Sequence, residues 1–154
     1  MPVMKQKSIK PATDTPYSEG ILVHNNTGSD IAANALVTFY RTTSTAKQGA
    51  LMTIGLAPAA TAVTKKYPIL VTKHIIPNGK SGVVLPWKTV PNINTSLLAV
   101  GDPVYLSNAA PGVFRVAASA PTHERVVGVV TKVGTTDGEI FCAPGMLLPL
   151  SSVN

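Results

Sequence analysis

Residues 68–85 read PILVTKHIIPNGKSGVVL, and this stretch decides the fold class. Pro68 opens a run in which one face of an extended strand carries Ile69, Val71, Lys73 and Ile75. The other face carries Leu70, Thr72, His74 and Ile76. Asn78-Gly79 then separates this run from Val83-Val84-Leu85. Asn-Gly between apolar runs is the strongest short-range hairpin signal, because both residues tolerate positive φ.

The same pattern continues outward in both directions. Toward the N-terminus lie Leu51–Ile54, Ala35–Tyr40 and Ile21-Leu22-Val23. Toward the C-terminus lie Val104-Tyr105-Leu106, Val113–Val116, Val126–Val133 and, after the loop Gly134–Gly138, Glu139–Cys142. With 13 prolines and 12 glycines punctuating short β-branched runs, the expected fold is all-β. A compact β-sandwich or barrel-like domain of short strands is the expected architecture. Helix has room for at most one or two short pieces, Ala57–Ala62 entered at Pro58 and Asn94–Leu98 before Gly101. Residues 1–19 hold Pro2, Pro11, Pro16 and three lysines, and read as an extended N-terminal arm. The β domain is expected over 20–145. Residues 146–154 form an apolar C-terminal tail, Met146-Leu147-Leu148-Pro149-Leu150 at its start, packed back on the domain or buried by a partner.

A chain of 154 residues suits one domain with an ordinary core. Hydrophobic residues make up 45% of it and charged residues 13%, about half the usual ~25%. Disorder requires the opposite balance. The single cysteine, Cys142, rules out an internal disulfide. Met1-Pro2-Val3-Met4-Lys5 lacks the apolar stretch of a signal peptide, and no run approaches the ~18 apolar residues of a membrane helix. The expectation is therefore a protein made in the cytoplasm with no membrane partner.

The net charge is +6 and its distribution is one-sided. No Asp or Glu stands between Asp30 and Asp102, a span that carries Arg41, Lys47, Lys65, Lys66, Lys73, Lys80 and Lys88. Such a field favours an acidic partner and speeds encounter with it. Because the cations are spaced rather than clustered, solubility alone is an equal explanation.

Candidate chemistry fails on its own requirements. Gly79-Lys80-Ser81 mimics the end of a phosphate-binding loop, yet His74 stands where that motif needs glycine and a strand follows where it needs a helix. Cys142 lies in the apolar Ile140-Phe141-Cys142-Ala143, the setting of a small core hydrophobe rather than a nucleophile. His24, His74 and His123 show no metal-ligand spacing. Asp102 and Asp137 occupy Gly-Asp-Pro and Thr-Asp-Gly turns, where Asp bonds to nearby amides. No catalytic residue, metal or cofactor is expected, and the chain is not read as an enzyme. Nucleic-acid binding rests on charge alone, since Tyr40, Tyr67 and Trp87 are far apart in sequence and only Trp87-Lys88 pairs an aromatic with a cation.

One succession resembles a known family. Gly82-Val83-Val84-Leu85, then Gly101-Asp102-Pro103-Val104-Tyr105-Leu106-Ser107, a glycine turn at Gly112 and Val126-Val127-Gly128-Val129-Val130 follow one another. Together they resemble tailed-bacteriophage capsid decoration (cement) and head-fibre base proteins over residues 34–143. The resemblance implies a β domain, commonly a homotrimer, that seats on the outer surface of a virus head, binds the major capsid protein and stabilises the shell. The markedly basic balance departs from that family. Lys65, Lys66, Lys73, Lys80, Trp87, Lys88, Met146, Leu147 and Leu148 are the candidate partner contacts; Trp87, the Ala-rich stretch and the tail could equally be core. A phage tail, baseplate or receptor-binding β module is the alternative, and a nucleic-acid-binding protein a more remote one.

Overall fold

A computed structural model describes residues 20–39, 52–57, 68–117 and 125–144. All regular secondary structure among them is strand. Five strands close a barrel in the order β1-β3-β2-β4-β5: β1 (Ile21–Asn25), β2 (Leu36–Phe39), β3 (Met52–Leu56), β4 (Leu70–Thr72) and β5 (Ser81–Leu85). The other five form a sheet in the order β6-β10-β9-β7-β8: β6 (Lys88–Ile93), β7 (Pro103–Leu106), β8 (Phe114–Arg115), β9 (Val126–Lys132) and β10 (Gly138–Cys142). The all-β expectation holds, with barrel and sheet combined rather than one of two alternatives.

Strand alternation explains why these two layers need each other. In β2 and β4 the pairs Leu36–Val71 and Val37–Leu70 lie side by side on opposite faces. Val37 and Leu70 point into the barrel with Val23, Ile31, Ile54, Ile76 and Val84. Leu36 and Val71 point outward and join Ile69, Ala57, Val90, Val104, Leu106, Val127, Val130, Ile140 and Cys142 in a second core beneath the sheet. A strand covered on both faces reads as a continuous apolar run, and Ile69-Leu70-Val71 is such a run. The sheet curves over the barrel through three bulges, at Asn92, Thr131 and Val127, each opposite a single step of the neighbouring strand. Asn92 takes the left-handed φ of 60° that the bulge demands.

Three features differ from the sequence reading. First, the run from Ile69 does not continue to Ile76. β4 stops at Thr72, and Lys73 N–H still reaches Val83 O before the chain swings wide. The cause is a rival set of partners. Asn25, wholly buried at the end of β1, donates through Nδ2 to Ser29 O and Ile76 O, both at 2.8 Å, and accepts from Thr27 N and Oγ1. Ile76 also pairs with Ile31 across an isolated bridge. Secondly, Asn78-Gly79 does turn the chain, but only Gly79 has positive φ (75°), with Lys80 N–H on Pro77 O. That is the geometry with glycine third in the turn, not the tight two-residue hairpin. Thirdly, β6 follows directly on Trp87, where no strand was expected. Asn94–Leu98 forms a turn rather than a helix, closed by Leu98 N–H on Thr95 O. Ala57, immediately after β3, donates through its N–H to Leu36 O, and the rest of the Ala-rich stretch lies outside the described residues. The arm and the tail lie outside them too.

A closed barrel has no edges, so the sheet supplies those there are among the described residues. One is β6, interrupted by Pro91, and the other is β8, two residues long.

Candidate docking surface

The barrel–sheet junction gathers three of the expected contact residues. β5 ends at Leu85, and two residues later the chain enters β6, so Trp87 stands at the corner between the layers. Its side chain is 56% exposed. Beside it, Lys88 Nζ donates to Lys73 O at 2.8 Å and to Thr72 O at 3.4 Å, which draws the end of β4 against the start of β6. Burial first, and the nearby Lys73 ammonium second, lower the Lys88 pKa from its ordinary value. Two residues beyond Lys73, Ile75 is 54% exposed. Trp87, Lys73 and Lys88 therefore share this corner, and Ile75 is a further exposed apolar residue two positions along the chain from Lys73.

His74 keeps the Lys73–Ile75 segment in place. Its Nδ1 lies 2.8 Å from Ile75 O, and Val83 N–H points to its Nε2 at 3.4 Å. The ring thus takes over as strand partner where the β4 main chain departs. Sequence reasoning missed Ile75 because alternation placed it on a continuing strand; nothing in its neighbours announced the break. Lys80 stands at the opposite end of β5, about 17 Å by strand rise from Leu85, and does not join the Trp87 corner. Lys65, Lys66, Met146, Leu147 and Leu148 lie outside the described residues.

A second exposed group occupies the far end of the sheet. The loop between β6 and β7 presents Leu97 at 75% and Val100 at 66% exposure, with Val133 exposed on the neighbouring β9–β10 connection. The loop is tied throughout. Thr95 N–H bonds to Gly134 O, Thr95 Oγ1 donates to Lys132 O and accepts from Gly134 N, Ala99 N–H bonds to Asp102 Oδ2, and Gly101 N–H bonds to Val130 O. Asp102 thus forms a turn as expected. Asp137 pairs with Lys132 at 2.7 Å across the hairpin. This pairing holds the Lys132 pKa above and the Asp137 pKa below their ordinary values.

The remaining reactive groups are placed for structure. Cys142 is fully buried, and burial pushes its thiol up to about 12 against the opposing pull of Lys88. His24 is buried with Nδ1 3.4 Å from Ser81 Oγ. Lys80 lies in the loop and Ser81 begins β5, so the loop leads into a strand and not a helix. Among the described residues, no three His, Cys, Asp or Glu side chains are grouped to hold a metal ion. No helix among them is long and apolar enough to cross a membrane.

The described residues thus form a β barrel and sheet with exposed apolar side chains at the Trp87 corner and on the Leu97 loop. No family model matches the chain, and neither the curated proteins nor the solved structures contain a match.

Proposed function

We propose that this chain is a capsid decoration (cement) protein that seats on the outer surface of a tailed-phage head and stabilises the shell. It binds the major capsid protein, acts as a homotrimer and does no chemistry. The observation that carries this reading is Trp87, over half exposed at the barrel–sheet corner and next in sequence to Lys88, whose ammonium reaches the Lys73 carbonyl. Trp is the residue type most enriched among interface anchors, and a rigid support lowers the ordering cost of docking. The order of motifs from Gly82 to Val130 supplies the identity of the partner by resemblance. Three copies engaging three related sites gain avidity of ~10²–10⁴ without a new kind of contact.

The test is direct. Undecorated heads are titrated with the full chain and with Trp87→Ala. The unmodified chain is expected to bind, and the variant to lose affinity by roughly 30-fold or more, the size of an anchor removal. Failure of the unmodified chain to bind heads would overturn the proposal. The same exposed indole favours a second reading, a tail or receptor-binding module stacking on a sugar ring; in that case free glycan, not heads, binds and quenches Trp87 fluorescence.

A further inference from the structure

The turn between β4 and β5 carries a reactive pair that the docking surface does not use. Asn78-Gly79 is the one Asn-Gly in the chain, and both residues are exposed. Glycine has no Cβ to shield its main-chain nitrogen, and the short side chain of a preceding asparagine can reach that nitrogen. The reaction open to the pair is ring closure. As the Gly79 nitrogen gives up its proton it bonds to Asn78 Cγ; the Cγ–Nδ2 bond breaks, and ammonia leaves with that proton. Water then opens the cyclic imide. Cleavage of the new N–Cγ bond leaves aspartate. Cleavage between Asn78 C and Gly79 N leaves isoaspartate, with the main chain rerouted through Cγ. By either route one water is consumed, one ammonia is lost and a carboxylate is gained.

In the fold, the groups that must move are tied to β1 and the loop behind it. Gly79 N–H donates to Asn25 O at 2.8 Å. Asn78 Oδ1 accepts from Gly28 N–H at 2.9 Å, which binds the carboxamide to the opposite loop. Asn78 N–H donates to Asp30 Oδ1, also at 2.9 Å. Beyond the pair, Asn25 N–H bonds to Lys80 O at 2.9 Å and Lys80 N–H to Pro77 O at 3.1 Å. We propose that Asn78 is a self-modification site guarded by the fold, deamidating when the turn is released from Asn25, Gly28 and Asp30. Release then becomes hard to reverse. The isoaspartyl main chain is longer by one atom, so Gly79 and Lys80 lose register with Asn25. The aspartyl product sets its carboxylate on the residue whose N–H already bonds the Asp30 carboxylate, and like charges repel. This chemistry is independent of shell binding and of how many copies assemble.

Ageing the full chain beside a peptide of residues 74–82 tests the guard. Both are held at neutral pH, and the gain of an acid at position 78 is followed by mass spectrometry of protease digests. The peptide should deamidate, and the folded chain roughly 10-fold or more slowly, since the bonds from Gly79 and to Asn78 Oδ1 must open first. Asp30→Ala keeps the turn sequence, removes one tether and should deamidate faster than the parent by about 3-fold or more. Equal rates in chain and peptide, or in parent and folded variant, would each overturn the proposal. The folded rate should also be the same in dilute and concentrated protein. Protection that grows with concentration would belong to an interface between copies and overturn the guard as well. If Asp30→Ala is unfolded by circular dichroism, the unmodified chain in a urea series takes its place. Its rate should climb to the peptide's value through the unfolding transition, and a flat rate overturns the proposal.

Discussion

At the residue scale, two buried side chains carry more than their size suggests. Asn25 makes four hydrogen bonds from one fully buried amide and joins the loops after β1 and β4. Asn25→Ala removes all four bonds, although Ile76 O keeps Ile31 N–H and Ser29 O keeps Thr27 Oγ1, and should lower unfolding free energy by about 1–3 kcal/mol in urea titration. Cys142 makes a different prediction. Its thiol stays protonated in the fold to about pH 12, whereas in the unfolded chain it ionises near ~8.5. Between those values the unfolded state binds fewer protons, so stability is intact below the lower limit and falls as pH rises, by up to ~1.4 kcal/mol per unit. Lys88 acts in the opposite sense, because its lowered pKa favours the folded state as pH rises. Comparing Cys142→Ala with the parent cancels most such terms, and the variant should show the shallower alkaline decline. Parallel pH–stability curves would contradict this assignment.

Elements show what a sequence can and cannot disclose. Nine of the ten strands among the described residues announce themselves at least in part by β-branched runs bounded by turn residues, because burial on one or both faces leaves a visible period. β6 did not, since Pro91 and Asn92 break the pattern and only Val90 is fully buried. Its register comes from bulged pairing with β10, a tertiary choice with no local trace. The break after Thr72 was hidden for the same reason: Asn25 and Ile31, some fifty residues away, claim Ile76. Of the candidate site, Trp87 and its lysines were legible as a sequence pair, but Ile75, Leu97 and Val100 became anchors only once the loops were placed. The packing of that segment yields a test. A Cβ on Gly82 would come within 2.5 Å of Ile76 Cγ1 and 3.0 Å of His74 Cε1. Gly82→Ala should therefore cost about 1–3 kcal/mol by overpacking. Hydrogen exchange at Ile31 and Ile76 amides should accelerate more than at β9 amides; uniform acceleration would place the strain elsewhere.

For the whole molecule, the division of charge predicts how docking responds to salt. On the proposed reading, lysines near Trp87 would steer encounter with an acidic shell, and they are screened beyond a Debye length of ~8 Å at physiological salt. If the proposed apolar hold is right, raising salt should slow association with heads and leave dissociation nearly unchanged. Duplex DNA gives the contrasting signature, an equilibrium affinity falling with a log–log slope of roughly −0.9 per phosphate neutralised. Stopped-flow and surface-immobilised heads across a salt series distinguish the two, and salt-dependent dissociation from heads would count against apolar anchoring. The edges of the sheet carry one more consequence. A barrel without edges, β6 broken by Pro91 and β8 only two residues long give an incoming strand little main chain to pair with. Crowded side by side at high local concentration, copies would find few open main-chain groups among the described residues, which disfavours templating one another into fibrils.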